Sequence, residues 1–327
     1  LGRPQLLREL AQMYVDKLKR PHDAIDAFER LRMLAPADTT VLFQLADLYV
    51  SVARWSKVIE TLARVGEVSE GSTEARDALR RIALIYVTEL ELPDRALDAY
   101  SQITQTWPDD VEAWTALDAI YTTNARWSDL ADVLRRRAAL ERDPATRAQL
   151  LSRRATVLLD WLNLAEEAAS TLRHARTIAP DDPALADQLV TALIKAGRDR
   201  EAAGILENRI DAMTSTDPEV PVSRGDLAAL HIRLAQIRLE RLDDKSGARL
   251  AIDQALALVP EHPTALAVLA GVASPDDDPR AFADAKLREA DSAKDDDVRI
   301  AALMAAGDVL QSRVQDTAGA RTAYERV

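Results

Sequence analysis

A period of 72 residues constrains this chain more than any other feature of its sequence. The tetrapeptide Ala53-Arg54-Trp55-Ser56 recurs unchanged at positions 125–128, 72 residues later. Prolines keep the same step at positions 36, 108 and 180, and a step of 80 leads to the proline at position 260. A fixed period of this size is typical of a solenoid, in which each unit buries its apolar face against the next one.

Each period divides into two helical hairpins of unequal length. The longer kind reads Ile82-Ala83-x-x-Tyr86, followed by a small residue at Ala96, a large one at Tyr100 and a closing proline. The shorter kind follows 35 residues after each longer one, as in Leu45-Ala46-x-x-Tyr49. Residues at −7, −4, −3 and 0 from each aromatic anchor lie on one helical stripe, which we expect to be buried. No run of alternating β-branched residues predicts a strand.

These residues resemble the tetratricopeptide repeat, whose signature is Trp-x-x-Leu-Gly-x-x-Tyr, then Ala-x-x-x-Phe, then Pro. The resemblance extends over essentially the whole chain as about nine units, of which the last is incomplete. It implies an all-α, right-handed superhelical solenoid of about 17–18 helices. The alternation of long and short units, with Arg used far more than Lys, is similar to long multi-repeat proteins of this family from high-GC bacteria.

We expect one continuous solenoid over residues 1–327, as a fragment of a longer chain. Two segments interrupt its period. Residues 213–225 contain eight extra residues with the composition of a loop, and residues 274–297 form a degenerate, acidic repeat. By alignment Asp295 matches Asp143, which predicts that each of these residues caps the start of a helix.

Composition and motifs favour a non-catalytic protein. The sequence has no cysteine, no phosphate-binding glycine loop and no metal-ligand motif, and its four histidines lie in different units. We therefore expect no catalytic residue, metal or cofactor. The net charge of −12 argues against nucleic acid, and no apolar run of about 18 residues predicts membrane insertion. The compartment stays open, with the cytoplasm slightly favoured.

Four tryptophans bear on packing and exposure. Trp55 and Trp127 occupy the same repeat position, which indicates a packing role at the hairpin turn. Trp107 and Trp161 are the two tryptophans that we expect to be exposed. For all of them, structural use is the stronger interpretation.

In the family that the chain resembles, the first helices of the hairpins line a concave groove that takes a peptide or a helix. Positions −6, −2 and +2 from each anchor face away from the buried stripe. They predict a partner-binding groove that includes Arg8, Gln12, Phe43, Asp47, Ser51, Arg80, Thr88, Thr115, Thr123, Ser152, Thr156, Asp187 and Thr191.

Two details of this groove carry the binding hypothesis. Phe43 is the one large apolar residue predicted to face it near its start, so it is the natural anchor for a partner's apolar side chain. The alternative, that Phe43 packs between adjacent first helices, is equally supported. Arg8 and Arg80 would fix an acidic group nearby.

The sequence thus predicts a protein–protein interaction scaffold whose partner is a protein or peptide of unknown identity. Two alternatives remain. The segment could be the regulatory or substrate-recruiting arm of a larger enzyme or signalling protein. It could also be a self-assembling structural element that associates end to end.

Overall fold

The computed structural model describes residues 3–215, 223–276 and 278–327. Within those ranges the chain forms 18 α-helices and a short π-helical segment, and no strand. The all-α prediction and the predicted helix number are therefore confirmed. Internal contacts divide the chain into two compact units, Leu1–Asn163 and Leu164–Val327, which are described separately below. That the chain is one continuous solenoid stays a prediction.

Unit 1 contains nine helices within its described residues, and each helix packs on the next one. The helices are α1 Arg3–Asp16, α2 Pro21–Leu34, α3 Thr39–Ser51, α4 Trp55–Val68, α5 Thr73–Thr88, α6 Pro93–Thr106, α7 Val111–Thr123, α8 Trp127–Leu140 and α9 Pro144–Asp160. The odd-numbered helices are the first helices of their hairpins, and the even-numbered ones are the second.

Unit 2 continues the pattern with α10 Ala165–Ile178, α11 Pro183–Lys195, α12 Asp199–Ser215, α13 Arg224–Glu240, α14 Lys245–Leu258, α15 Pro263–Ala273, α16 Pro279–Ser292, α17 Asp296–Val309 and α18 Thr317–Glu325. The π-helical segment Leu310–Val314 directly follows α17. None of the described helices combines the length and the apolar character that crossing a membrane requires.

The hairpin turns repeat with the period of the sequence. A left-handed residue closes the long hairpins within the two units, at positions 19, 91, 243 and 315, and Asn163 has the same conformation at the end of unit 1. Ala53, Ala125 and Gly197 do the same in three short hairpins, with φ of 52°, 53° and 70°. A single left-handed residue after a helix reverses the chain and lets the next helix begin within a few residues. The period therefore fixes where each hairpin turns.

Helix starts are also periodic. Asp38, Asp110 and Asp182 cap α3, α7 and α11, and each side chain accepts a hydrogen bond from a backbone N–H in the first turn. Asp143 and Asp295 cap α9 and α17, as the sequence predicts. Because these residues satisfy donors that the helix itself cannot pair, they fix where each helix begins.

The core of unit 1 consists of the predicted stripe residues. Phe28 and Leu31 of α2 pack with Leu42, Leu45 and Tyr49 of α3, and all five are nearly inaccessible to solvent. Small residues on the same stripe let neighbouring helices approach closely. The Tyr49 hydroxyl donates to a Glu29 carboxylate oxygen at 2.6 Å. Burial first, and this hydrogen bond second, raise the pKa of Tyr49.

The two irregular segments lie in unit 2. Residues 213–215, which we predicted to belong to an inserted loop, continue α12, and Thr214 Oγ1 donates to the Ile210 carbonyl at 3.0 Å. Residues 224–225 already belong to α13, and residues 216–222 lie outside the described residues. In the acidic repeat, helix α16 occupies most of residues 274–297.

Candidate binding surface on the first helices

The structure brings three of the predicted groove residues together in one cavity of unit 1. Gln12 of α1 and Asp47 and Ser51 of α3 line a space of about 460 Å³ between these two first helices. The remaining lining residues are Val15, Lys19, Arg20, Pro21, Phe28, Gln44 and Leu48. The cavity therefore has an apolar interior and a polar rim of mixed charge.

One buried acceptor in this cavity lacks a partner. The side-chain oxygen of Gln44 is inaccessible to solvent and has no hydrogen-bond partner among the described residues. By contrast, the Gln12 amide donates to Asp16 at 3.0 Å, and the Ser51 hydroxyl donates to the Leu48 carbonyl at 2.6 Å. A buried polar group without a partner costs free energy, and a small turn of the Gln44 side chain would bring this oxygen within reach of an N–H donor in the cavity.

Phe43 lies half-buried against the unit 1 core rather than standing free on the surface. The guanidinium group of Arg81, on α5, lies 5.7 Å from the centroid of its ring. Arg81 also forms an ion pair with Asp47. This placement matches the alternative in which Phe43 packs between adjacent first helices, and its use as an anchor for a partner stays a prediction.

Arg8 and Arg80 occupy equivalent positions, 72 residues apart, and both bind the capping aspartate of the next first helix. Arg8 Nη2 lies 2.6 Å from Asp38 Oδ2, and Arg80 Nη2 bonds the buried Asp110. Arg80 also lies 2.7 Å from Glu112. Both guanidinium groups are thus paired within unit 1, so an acidic group of a partner would have to compete for them.

The predicted groove threonines share one hydrogen-bond pattern. The hydroxyl groups of Thr88, Thr115, Thr123, Thr156 and Thr191 each donate to the backbone carbonyl four residues earlier, at 2.8 to 3.2 Å. Their donors are therefore satisfied on their own helix, which leaves each hydroxyl able to act as an acceptor. Ser152 of α9 is half-buried.

Three arginines that bridge successive first helices are not among the predicted groove residues. Arg81 of α5 binds Asp47 of α3. One period later, Arg153 of α9 donates to Asp118 and to Thr122 of α7, each at 2.8 Å. In unit 2, Arg233 of α13 donates to Asp187 at 3.1 Å and to Thr191 at 2.9 Å of α11. These three arginines recur at steps of 72 and 80, so the period itself could have revealed them.

A second arginine completes two of these bridges. Arg137 of α8 joins Arg153 on the Asp118 carboxylate, and Asp118 is only 4% exposed. In unit 2, Arg209 of α12 joins Arg233 on Asp187, at 2.8 Å. Asp187 is thus already bound by two arginines within its own unit. That Asp187 belongs to the same partner-binding groove as Phe43 stays a prediction.

Two exposed aromatic positions were also predicted. Trp161 is 59% exposed and stacks on Trp127, with ring centroids 4.4 Å apart and planes inclined by 17°. Trp107 is half-buried rather than exposed. Among the residues that the structure describes, no group of three or more His, Asp or Glu side chains is placed to hold a metal ion.

Comparison with known proteins identifies the repeat. Residues 113–148 match the sequence model of the tetratricopeptide repeat, a segment that runs from α7 through α8 into α9. The predicted resemblance to this repeat is therefore confirmed, and it supports a general role in protein–protein interaction. The likeness to proteins of high-GC bacteria stays a prediction. No curated protein matches the chain.

Several solved structures resemble the chain. A tetratricopeptide repeat protein from Parabacteroides merdae is 16% identical, with 84% of this chain and 100% of that one covered and a TM-score of 0.37. YrrB, described as a protein of this class with an unusual peptide-binding site, is 18% identical over 64% of this chain and 97% of its own, with a TM-score of 0.38. The C-terminal part of a repeat protein from Cytophaga hutchinsonii is 12% identical over 80% and 98%, with a TM-score of 0.40.

Proposed function

We propose that this chain is a non-catalytic scaffold that binds a peptide segment of a partner protein on the first helices of unit 1. The pocket between α1 and α3 takes one apolar side chain of that segment. The observation that carries the proposal is the convergence of Gln12, Asp47 and Ser51, from two successive first helices, around a single cavity.

The chemistry of the pocket defines its occupant. Val15, Phe28 and Leu48 supply apolar surface, which favours an aliphatic or aromatic side chain. The unpartnered Gln44 oxygen is buried, so its side chain has to turn toward the cavity to accept a hydrogen bond from the partner's backbone or side-chain N–H. Pockets of this kind, with an apolar interior and a few placed polar groups, bind through shape first and hydrogen bonds second.

The rim of the pocket adds little net charge. Lys19, Arg20 and Asp47 line it, and Arg20 is paired with Asp23 at 2.5 Å and Asp47 with Arg81, which leaves Lys19 as its one charged residue without an ion pair among the described residues. Ion pairs at a solvated rim contribute little to affinity. We therefore expect binding in this pocket to depend weakly on salt.

The proposal can be tested with peptides selected from a phage-displayed random library on the wild-type chain. Affinities for Ser51→Trp, which fills the pocket, are compared with those for Ser56→Trp, the same substitution at an exposed position of α4 outside the pocket. We expect Ser51→Trp to weaken binding at least tenfold, or about 1.4 kcal/mol, and Ser56→Trp to leave it unchanged.

A second variant probes the hydrogen bond. Gln44→Leu removes the acceptor and should weaken the same peptides by a smaller factor, since one neutral hydrogen bond contributes about 0.5–1.5 kcal/mol. The proposal is wrong if Ser51→Trp binds the selected peptides like the wild type. It is also wrong if Arg136→Glu, an exposed change on second helix α8, is the substitution that abolishes binding.

A further inference from the structure

Unit 1 contains a second cavity, which lies between second helices rather than first helices. It has a volume of about 780 Å³ and is lined by the C-terminal halves of α4 and α6, with α5 beneath. We call it the α4–α6 cleft. Its apolar base is formed by Leu62, Ala75, Leu79 and Ile82, of which all but the half-buried Leu79 are buried.

The mouth of the cleft is acidic and aromatic. Glu67 and Glu70 line it together with the indole of Trp107, and none of its lining residues is a lysine or an arginine. Glu67 forms a 2.6 Å ion pair with Arg64, outside the cleft. Glu70 is exposed and has no ion pair or hydrogen bond within the described residues. The cleft thus retains uncompensated negative charge.

The backbone leaves the cleft open on one side. Gly66 and Gly71 line it, and a Cβ atom added to either would meet no atom within 4 Å. Gly71 has a φ of +74°, which favours glycine whatever the available space. Gly66 lies within α4, so a larger side chain there would extend into the cleft without displacing its walls.

We propose that the α4–α6 cleft binds an arginine side chain of a protein partner, presented on a helix beside an apolar side chain. The apolar neighbour and the methylene stem of the arginine cover the base, and the guanidinium group lies between Glu67, Glu70 and the Trp107 ring. Charge complementarity selects a cation, because two carboxylates lie at the mouth and Trp107 adds an aromatic surface that attracts cations. A helix that fills a groove in this way uses side chains four residues apart. This surface is separate from the pocket between α1 and α3.

The test uses the full chain and a capped, alanine-based helical peptide that carries leucine and, four residues later, arginine. The matched peptide has citrulline, which is neutral and of nearly the same shape, in place of arginine. Fluorescence anisotropy of the labelled peptides gives the affinities. We expect the arginine peptide to bind at least tenfold more tightly than the citrulline peptide. Its affinity should fall as NaCl rises from about 50 mM to about 500 mM.

Three variants locate the site. Gly66→Leu, which fills the cleft, and the double change Glu67→Gln/Glu70→Gln should each weaken the arginine peptide at least tenfold. The control Glu89→Gln/Glu91→Gln removes two exposed acids of unit 1 outside the cleft and should leave affinity unchanged. Circular dichroism melting checks that each variant is folded.

The outcomes that overturn the proposal are distinct from those of the peptide pocket. Equal binding of the two peptides would show an apolar site without cation selectivity. Equal binding by Gly66→Leu and the wild type, or no binding of the arginine peptide at about millimolar concentration, would show that the cleft is not the site. Ser51→Trp, which fills the other pocket, should bind the arginine peptide like the wild type.

Discussion

The Asp118 carboxylate joins three successive helices of unit 1, and its removal is the sharpest test of how the repeats are held together. Asp118 belongs to α7 and accepts from Arg137 of α8 and from Arg153 of α9. The hydroxyl of Thr122 also lies 3.2 Å from this carboxylate. Asp118→Ala deletes the one negative charge that both arginines share.

The expected loss follows from the burial of the Asp118 carboxylate, which is 5% exposed, and from the exposure of the two arginines. Removing one partner of a buried ion pair costs about 3–5 kcal/mol, whereas exposed pairs contribute about 0–1 kcal/mol. The Arg153 side chain is 42% exposed and can turn toward water, but that of Arg137 is only 21% exposed and stays partly desolvated. We therefore expect Asp118→Ala to lower the free energy of unfolding by about 2–3 kcal/mol.

Asp187 provides a matched control in unit 2. It accepts from Arg209 and Arg233, which occupy the repeat positions of Arg137 and Arg153. The Asp187 side chain is 47% exposed, whereas that of Asp118 is 5% exposed. Arg209 and Arg233 are 25% and 31% exposed, much like Arg137 and Arg153, so the two sites differ mainly in the burial of the aspartate. Because solvent screens the Asp187 carboxylate, Asp187→Ala should cost less than Asp118→Ala, about 1 kcal/mol.

Urea unfolding followed by circular dichroism gives the two losses. Each repeat is stabilised mainly by contacts with its neighbours, so the effect of Asp118→Ala should be local. Hydrogen exchange shows which helices of the variant lose protection of their backbone amides. Faster exchange in α7, α8 and α9, with the rest of unit 1 less affected, would fit the bridge. The reasoning is refuted if Asp118→Ala costs no more than Asp187→Ala, or if exchange rises uniformly over the chain.

Three further predictions concern single positions. Gly66→Ala should stabilise the protein by up to about 1 kcal/mol in urea unfolding, because the added methyl group meets no atom and alanine favours the helix. A lower free energy of unfolding than in the wild type would contradict this. Gly307→Ala should destabilise the protein by about 1–3 kcal/mol, because the added Cβ would lie 2.5 Å from the Tyr324 ring. The double variant Gly307→Ala/Tyr324→Leu should recover most of that loss, and a failure to recover it would show that the clash with Tyr324 is not the cause. Burial, and secondarily the charge of Arg238, lowers the pKa of His231. Histidine in the unfolded chain has a pKa of about 6.5, so below that pH the unfolded state binds a proton that the folded state does not bind. The stability present near pH 7 should therefore be lost as the pH falls toward about 5. The urea midpoint of His231→Leu should change less over that range, and an unchanged acid loss would exclude His231 as the cause.

The period predicted the parts of the fold that depend on one helix or one turn. Helix caps such as Asp143 and Asp295 follow from sequence because each pairs with its own first turn. Insertions are harder to predict. Residues 213–215 have the composition of a loop, yet they extend α12, because Thr214 can bond the carbonyl four residues earlier and stay helical.

Contacts between helices were predicted less well. Neighbouring residues on a helix point about 100° apart, and a repeat period does not report how a helix is rotated against its neighbours. The repeat period predicts Arg80 on the open surface, but Arg80 binds Asp110, the capping residue of the next first helix. Arg81, one residue later, reaches the preceding first helix and was not predicted. The cavities depend on spacing between helices, which sequence alone does not give.

The distribution of paired and unpaired charge separates the two surfaces of unit 1. On the first helices, Arg81 and Arg153 bind aspartates of the same unit, so their charge is compensated where a partner would approach. Recognition in the pocket between α1 and α3 then depends on shape and on the Gln44 acceptor. At the α4–α6 cleft, Glu70 remains uncompensated, and Coulomb attraction acts on an incoming cation.

Added salt screens exposed charges far more than it changes apolar contacts. Titrations over a range of NaCl concentrations should therefore weaken binding of the arginine peptide at the cleft, while peptides selected on the pocket keep their affinity. If salt weakened the binding of both kinds of peptide equally, the first helices would also attract their partner through uncompensated charge. The internal pairing of Arg81 and Arg153 would then not explain how that surface binds.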